Sequence, residues 1–109
     1  MLTHVVLFWA VDDLTTAKRA DFASGLQTLL SIPTVSAGWV GTPGAPDRPV
    51  VDRSYAFGLV LRFTDVAAHD AYQADPIHRT FHSRCVKYWK KVQVYDVDDV
   101  PGAPAPAAR

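Results

Sequence analysis

The chain has few of the features that mark disulfide-stabilised, strongly charged or membrane-spanning proteins. It contains one cysteine in 109 residues, Cys85, so no intramolecular disulfide can form, and a reducing compartment is expected. The 11 basic and 11 acidic side chains cancel, which gives no electrostatic reason to expect a nucleic acid or membrane partner. Because there is neither a bilayer-spanning apolar run nor a signal-like N-terminal stretch, we expect a cytoplasmic protein.

The sequence also lacks the motifs of nucleotide-binding proteins and thiol enzymes. It has no glycine-rich phosphate-binding loop. Cys85 has no evident His–Asp arrangement around it, so we interpret it as a small buried apolar residue rather than a nucleophile. We therefore expect no nucleotide cofactor.

The apolar residues that are present predict one folded domain. Hydrophobic residues make up 49% of the chain, and their spacing predicts the order strand, helix, strand, strand, helix, strand. The predicted strands cover residues 2–11, 34–42, 54–63 and 92–97. The first helical region covers 15–30, and the second consists of a short helix, 66–74, and a longer one, 75–89. We place the domain at residues 1–99 and expect 100–109 to be a disordered tail rich in Pro and Ala.

This order is that of a ferredoxin-like βαββαβ sandwich of the α+β class, in which helices cover one face of an antiparallel sheet. The other face should be polar, yet the first and third predicted strands are apolar on both faces. A second copy of the chain, packed sheet against sheet, would cover this face. We therefore expect a homodimer. The alternative is a small monomer with some exposed apolar surface.

The stretch from Tyr72 to His78 concentrates residues that can handle a proton. Asp75 suits the N-cap of a helix and Pro76 suits its first turn, which places His78 at the positive end of the helix dipole. A second positive charge is disfavoured there, so a neutral imidazole that acts as a general base near pH 7 is expected. The alternative is that Tyr72 and His78 are packing residues of amphipathic helices.

The remaining histidines raise the question of a metal site. His78 and His82 are four residues apart on one predicted helix and could meet one ion, with His4 as a third ligand. No carboxylate is clearly placed to complete the set, and His69 is expected on the surface, so we predict no dedicated metal site.

Two segments, Thr3–Phe8 and Tyr72–His78, resemble the stress-responsive A/B barrel domain family, known as Dabb. The second segment is similar to the Tyr-x-x-x-Pro-x-His pattern of that family, and the resemblance runs from about residue 4 to residue 97. It implies a dimeric α/β barrel built from two ferredoxin-like units. Because the family contains both enzymes and stress-related proteins, the resemblance implies a fold more strongly than an activity.

Within this family the chain resembles plant polyketide cyclases of the olivetolic acid cyclase type, which close a linear polyketide by an aldol condensation without a cofactor. By this resemblance His78 would be the catalytic base, and Tyr72 would donate to the developing enolate oxygen of a small apolar or aromatic ligand. Phe57 departs from the cyclases, which have a His there, and implies a more apolar pocket. The expected pocket-lining residues are His4, Phe57, Phe81, Tyr88 and Trp89.

Two alternatives to a cyclase remain open. Cofactor-independent monooxygenases share the dimeric fold and use aromatic and His residues, and the chain has three tryptophans, although burial in a small core is the commoner role of Trp. A non-catalytic, stress-linked structural protein would instead fill its cavity with its own large side chains. The relevant residues are Trp9, Trp39 and Trp89 for the first alternative, and Phe57, Phe81, Tyr88 and Trp89 for the second.

Overall fold

The computed structural model describes residues 1–102 as a four-stranded antiparallel sheet with helices on one face. The strands are β1 (Leu2–Ala10), β2 (Ala37–Gly41), β3 (Phe57–Phe63) and β4 (Trp89–Asp98), and the α-helices are α1 (Thr16–Thr28), α2 (Val66–Ala74) and α3 (Pro76–Cys85). Short 3₁₀ turns follow α1 and α3, at Leu29–Ser31 and Val86–Tyr88. The sheet order β2-β3-β1-β4 confirms the predicted ferredoxin-like fold. Most of the predicted tail, residues 103–109, lies outside the described residues.

Helix α3 begins at the capping residue that the sequence predicts, Asp75, and α1 begins at a similar cap, Thr15. The Thr15 hydroxyl accepts a hydrogen bond from the Lys18 N–H at 3.2 Å, and the Asp75 carboxylate accepts one from the Ile77 N–H at 2.8 Å. Pro76 follows as the first residue of α3, where its missing N–H costs nothing. A cap of this kind contributes about 1 kcal/mol to stability. The break between α2 and α3 is therefore fixed locally, and it brings Tyr72 and the start of α3 together.

The predicted boundary between the last helix and the last strand is wrong. Helix α3 ends at Cys85, and β4 begins at Trp89, three positions before the predicted start at Val92. Trp89 pairs with Ala10 across an irregularity in the β1–β4 ladder. Pairing with β1 therefore prevails over the helical spacing of the apolar residues.

The core lies between the helices and the inner face of the sheet, to which β1 contributes Val6 and Phe8. Helix α1 contributes Phe22 and Leu26, which are fully buried. Helices α1 and α3 approach closely at Gly25, where a Cβ atom would lie 2.5 Å from the Cys85 sulfur. A larger residue at position 25 would therefore push the two helices apart.

The outer face of the sheet is apolar as well, which confirms that feature of the sequence prediction. Trp39, Tyr95 and Val97 are each 56% exposed on this face. Trp9 also lies there and donates a hydrogen bond to the Ser54 hydroxyl at 2.9 Å. Burial of Trp9 and Trp39 in the core was thus the wrong expectation. Among residues 1–102, no helix combines the length and apolar character needed to cross a bilayer.

Candidate active site

A cavity of about 300 Å³ lies between the inner face of the sheet and helices α2 and α3. Its walls are mainly apolar, and Phe8, Phe81 and Trp89 are the aromatic residues among them. Phe81 and Trp89 stack with ring centroids 5.8 Å apart, which holds both rings in place. Five polar residues also line the cavity, and they are His4, Tyr72, Gln73, His78 and His82. The site thus combines an apolar volume with a few polar groups, as small-molecule sites generally do.

Tyr72 supplies a buried phenol near the end of α2. Its side chain is 1% exposed, and no hydrogen bond to its hydroxyl is found within residues 1–102. Burial raises the pKa of this phenol well above its ordinary value of 10.0, because the charged phenolate would be desolvated. Tyr72 therefore keeps its proton at neutral pH and can donate it to a ligand.

His78 supplies a base on the first turns of α3, beside Tyr72. The two rings meet edge to face with centroids 4.9 Å apart. Burial lowers the pKa of His78 below its ordinary value of 6.5, and the nearby His82, His4 and His69 lower it further, while Asp75 partly opposes them. At pH 7 His78 is therefore neutral, and within residues 1–102 its ring nitrogens have no hydrogen-bond partner. It can accept a proton from a bound molecule.

His4 is a third polar group of the cavity, and a hydrogen bond to Asp96 holds its ring in place. The sequence interpretation missed Asp96. Nδ1 of His4 lies 2.5 Å from Oδ1 of Asp96, and the two residues are directly opposite in the β1–β4 ladder. His4 is 4% exposed, and its ring centroid lies 6.1 Å from that of Tyr72. Only the pairing register brings Asp96 to His4, so alternating sequence positions alone gave no signal for this contact.

Two residues predicted to line the pocket lie elsewhere. Phe57 packs against Phe22 of α1 at 5.0 Å between centroids, and the Arg19 guanidinium lies 4.6 Å from the centre of its ring. Tyr88 donates its hydroxyl proton to the Asp21 carboxylate at 2.7 Å. Both side chains are therefore held under α1, whereas the predicted residues His4, Phe81 and Trp89 do line the cavity.

The predicted metal ligands are arranged differently from the sequence expectation. His78 and His82 both line the cavity, but the three ligand groups that converge within residues 1–102 are His4, His69 and Asp96. The side chain of His69 is only 19% exposed and packs beside His4 at 4.9 Å between centroids. His69 is thus a partly buried residue rather than the predicted surface residue.

A second hollow, of about 400 Å³, lies on the outside of the molecule between the end of α1 and α3. It is more open than the Tyr72–His78 cavity, and its polar lining includes Thr28 and Thr80. Its one charged residue, Arg84, is engaged by Asp21, to which Nε donates at 3.0 Å. No pair of acid and base groups faces this hollow, so its greater volume does not make it the better candidate.

Comparison with known proteins places the chain in a family. The model of the stress responsive A/B barrel domain, Dabb, matches residues 2–99. An Arabidopsis thaliana protein is 22% identical with a TM-score of 0.76, and the match covers 92% of this chain and 96% of that one. A dimeric ferredoxin-like protein of unknown function from Thermobifida fusca is 21% identical with a TM-score of 0.72, and 88% of each chain is covered.

An enzyme has a similar structure. The hydroxynitrile lyase of Passiflora edulis is 17% identical with a TM-score of 0.75, and the match covers 94% of this chain and 96% of that one. Identities this low establish a shared fold and carry no activity from one protein to the other. No curated protein matches the chain.

Proposed function

The chain belongs to the stress responsive A/B barrel domain family, and from this premise we propose that it is a cofactor-free, cyclase-like aldol catalyst for a small polyketide-like substrate. One observation carries the proposal. Tyr72 and His78, whose side chains have no hydrogen-bond partner among residues 1–102, meet in an apolar cavity with their pKa values moved in opposite directions. Such a separation of pKa values assigns an acid role to one group and a base role to the other.

The reaction needs only these two groups. His78 removes a proton from a carbon flanked by two carbonyls, and the Tyr72 hydroxyl donates a hydrogen bond to the enolate oxygen that forms. The enolate carbon then attacks a second carbonyl of the same molecule, which forms the new carbon–carbon bond. The proton held by His78 passes to the resulting alkoxide. The base is thereby regenerated, and atoms and charge balance without a redox partner.

The size of the cavity favours a ligand over a filled core. If the protein served only as a stable scaffold, large side chains would occupy the space between sheet and helices. Two of the side chains expected to fill it, Phe57 and Tyr88, lie under α1 instead, and about 300 Å³ remains. A monooxygenase role has weaker support, because Trp89 alone of the three tryptophans lines the cavity, while Trp9 and Trp39 lie on the outer face.

A second candidate activity is cleavage of a cyanohydrin, which needs the same neutral imidazole and protonated phenol that meet in this cavity. In that reaction His78 would remove the hydroxyl proton, the carbon–cyanide bond would break, and a carbonyl compound and cyanide would be released. Tyr72 would then hold the oxygen of the carbonyl. Because the same pair of groups serves both reactions, the substrate decides between them.

The experiment that tests the proposed function has two steps. Native mass spectrometry of freshly purified protein would detect a small organic molecule retained in the cavity, which would indicate the substrate class. The protein is then incubated separately with a linear poly-β-ketone thioester and with mandelonitrile. A cyclised product above the buffer control supports the aldol proposal. Benzaldehyde and cyanide alone would replace it with the second candidate, and no product from either compound would contradict both.

The outer face supports a homodimer as the working assembly. Val5, Leu7, Trp39 and Val60 surround a shallow hollow of about 300 Å³ on this face, and the Thermobifida fusca protein of similar fold is described as dimeric. An apolar surface of this kind is rarely left exposed on a monomer. Packing of two such faces would leave the Tyr72–His78 cavity, on the inner face, intact in each chain.

Two valines offer a matched test of the dimer. Val97 and Val66 are 56% and 57% exposed, but Val97 lies on the outer face and Val66 at the start of α2. In sedimentation velocity, Val97→Asp should shift the protein towards monomer, and Val66→Asp should leave the dimer unchanged. Equal effects of the two substitutions, or a monomeric wild type, would contradict the sheet-to-sheet arrangement.

A further inference from the structure

We propose that His4, His69 and Asp96 bind a divalent transition-metal ion of the zinc class, next to Tyr72. The three residues come from β1, α2 and β4, and one ligand atom from each lies within 4.8 Å of the other two. Three elements distant in sequence thus bring two imidazoles and one carboxylate to a single point. This inference concerns metal binding alone and does not depend on the proposed chemistry of Tyr72 and His78.

The chemistry of the three groups suits such an ion. Two imidazole nitrogens and one carboxylate oxygen form a ligand set that zinc, iron(II) and related ions accept, with positions left for water or a substrate. Hard ions such as magnesium and calcium prefer sites made of oxygen ligands alone. The ligand set therefore selects against the commonest divalent cations of the cell.

His69 has the outer partner that metal-binding histidines usually have. Its Nδ1 lies 3.1 Å from Oδ1 of Asp70, which is exposed on the same helix. A proton held between these two atoms leaves Nε2 of His69 with a free lone pair for the ion. Carboxylates hydrogen-bonded to the second nitrogen in this way fix the ring and strengthen it as a ligand.

Packing holds the two imidazoles in place. The ring of Phe63 lies 6.2 Å from His4 and 5.6 Å from His69, in edge-to-face contact with both. The third ligand is the one most accessible to solvent, because the side chain of Asp96 is 45% exposed and β4 is an edge strand. The exposed side of this carboxylate gives the ion a path of entry to the two packed rings.

One movement is needed when the ion binds. Nδ1 of His4 and Oδ1 of Asp96 are 2.5 Å apart and share a hydrogen bond. Two ligand atoms around a tetrahedral zinc are separated by roughly 3.4 Å, given metal–ligand bonds of about 2.1 Å. Asp96 would therefore have to move by about 1 Å, a displacement that a half-exposed side chain on an edge strand can make.

The test is a titration of tag-free full-length protein with zinc chloride, followed by isothermal titration calorimetry. Wild type should bind one ion per chain. His69→Ala and Asp96→Ala each remove a ligand. They should weaken zinc binding by more than about 100-fold, because substitution of an outer-shell residue alone weakens it by up to about that factor. Asp70→Asn should weaken it by roughly 10- to 100-fold. These three side chains lie outside the buried core, so the variants should fold, which circular dichroism checks.

His82→Ala is the matched control, because His82 is the exposed histidine outside the cluster. It should bind zinc as wild type does. Absence of binding to wild type in the micromolar range would overturn the proposal, as would wild-type affinity in both His69→Ala and Asp96→Ala. Equal weakening by His82→Ala and His69→Ala would also overturn it, since adventitious binding to any accessible histidine would then explain the data. Cobalt(II) bound in the same pattern, with its visible absorption lost in the two ligand variants, would support it independently.

Discussion

Tyr72 and Tyr88 are two buried tyrosines of the same small core, and only one of them is free to act on a ligand. They are 1% and 6% exposed. The hydroxyl of Tyr88 donates to the Asp21 carboxylate, which Arg84 also engages, so this phenol joins α1 to the turn after α3. The hydroxyl of Tyr72 faces a cavity beside His78.

The pKa values of the two phenols are raised for different reasons. For Tyr72 the cause is burial alone, whereas for Tyr88 the hydrogen bond to the Asp21 carboxylate comes first and burial second. A raised pKa therefore does not by itself mark a catalytic residue. The comparison teaches that the partner of a buried polar group, more than its burial, separates a structural role from a chemical one.

The largest expected effect comes from removing the base beside Tyr72. In the turnover of whichever compound the protein accepts, His78→Ala should lower kcat/KM by about 10²- to 10⁴-fold, the usual contribution of a positioned general base. The dimer and the fold should survive, because His78 is only half-buried and has no hydrogen-bond partner in residues 1–102. Loss of the folded state in circular dichroism would instead assign His78 a structural role.

A smaller effect is expected from pH, and its sign follows from the two shifted groups. The active form needs His78 neutral and Tyr72 protonated. Because the pKa of His78 is lowered, kcat/KM should rise with pH at a point below 6.5 and be constant through neutrality. Because the pKa of Tyr72 is raised, no loss due to its ionisation should begin near pH 10. A pH–rate profile that still climbs between pH 7 and 8 would contradict the assignment of His78 as base.

The smallest effect concerns stability and separates the two tyrosines directly. Tyr88→Phe leaves the Asp21 carboxylate without one of its donors, so the midpoint of thermal unfolding should fall by a few degrees. Tyr72→Phe removes a hydroxyl with no protein partner in residues 1–102, and the midpoint should be unchanged or slightly higher. Differential scanning calorimetry on both variants measures this contrast, and an equal loss of stability in the two would remove the distinction between them.

Local chemistry explains which parts of the fold could be predicted. The Asp75-Pro76 cap, the break between α2 and α3, and the two apolar faces of the sheet follow from residues close in sequence, and all three are confirmed. The dipeptide also places Tyr72 and His78 on adjacent turns. The proximity of Tyr72 and His78 could therefore be predicted from a single short segment of the sequence.

Contacts made across the fold could not be predicted. Asp96 meets His4 because of the β1–β4 register, which depends on the whole sheet and not on either strand alone. Tyr88 has the helical spacing of Phe81 and Cys85, and only the 3₁₀ turn before β4 directs its hydroxyl to α1. Phe57 and Tyr88, which were predicted to line the pocket, contact residues of α1 instead.

The central claim is that the unpartnered phenol, and not buried tyrosine in general, takes part in the chemistry. The most direct test compares turnover by Tyr72→Phe and Tyr88→Phe side by side, at a temperature where both are folded. Each loses one hydroxyl from a buried ring of the same size. The account predicts a large fall in kcat for Tyr72→Phe and near wild-type kcat for Tyr88→Phe. Equal activity in the two variants, whether both retained or both lost, would contradict it.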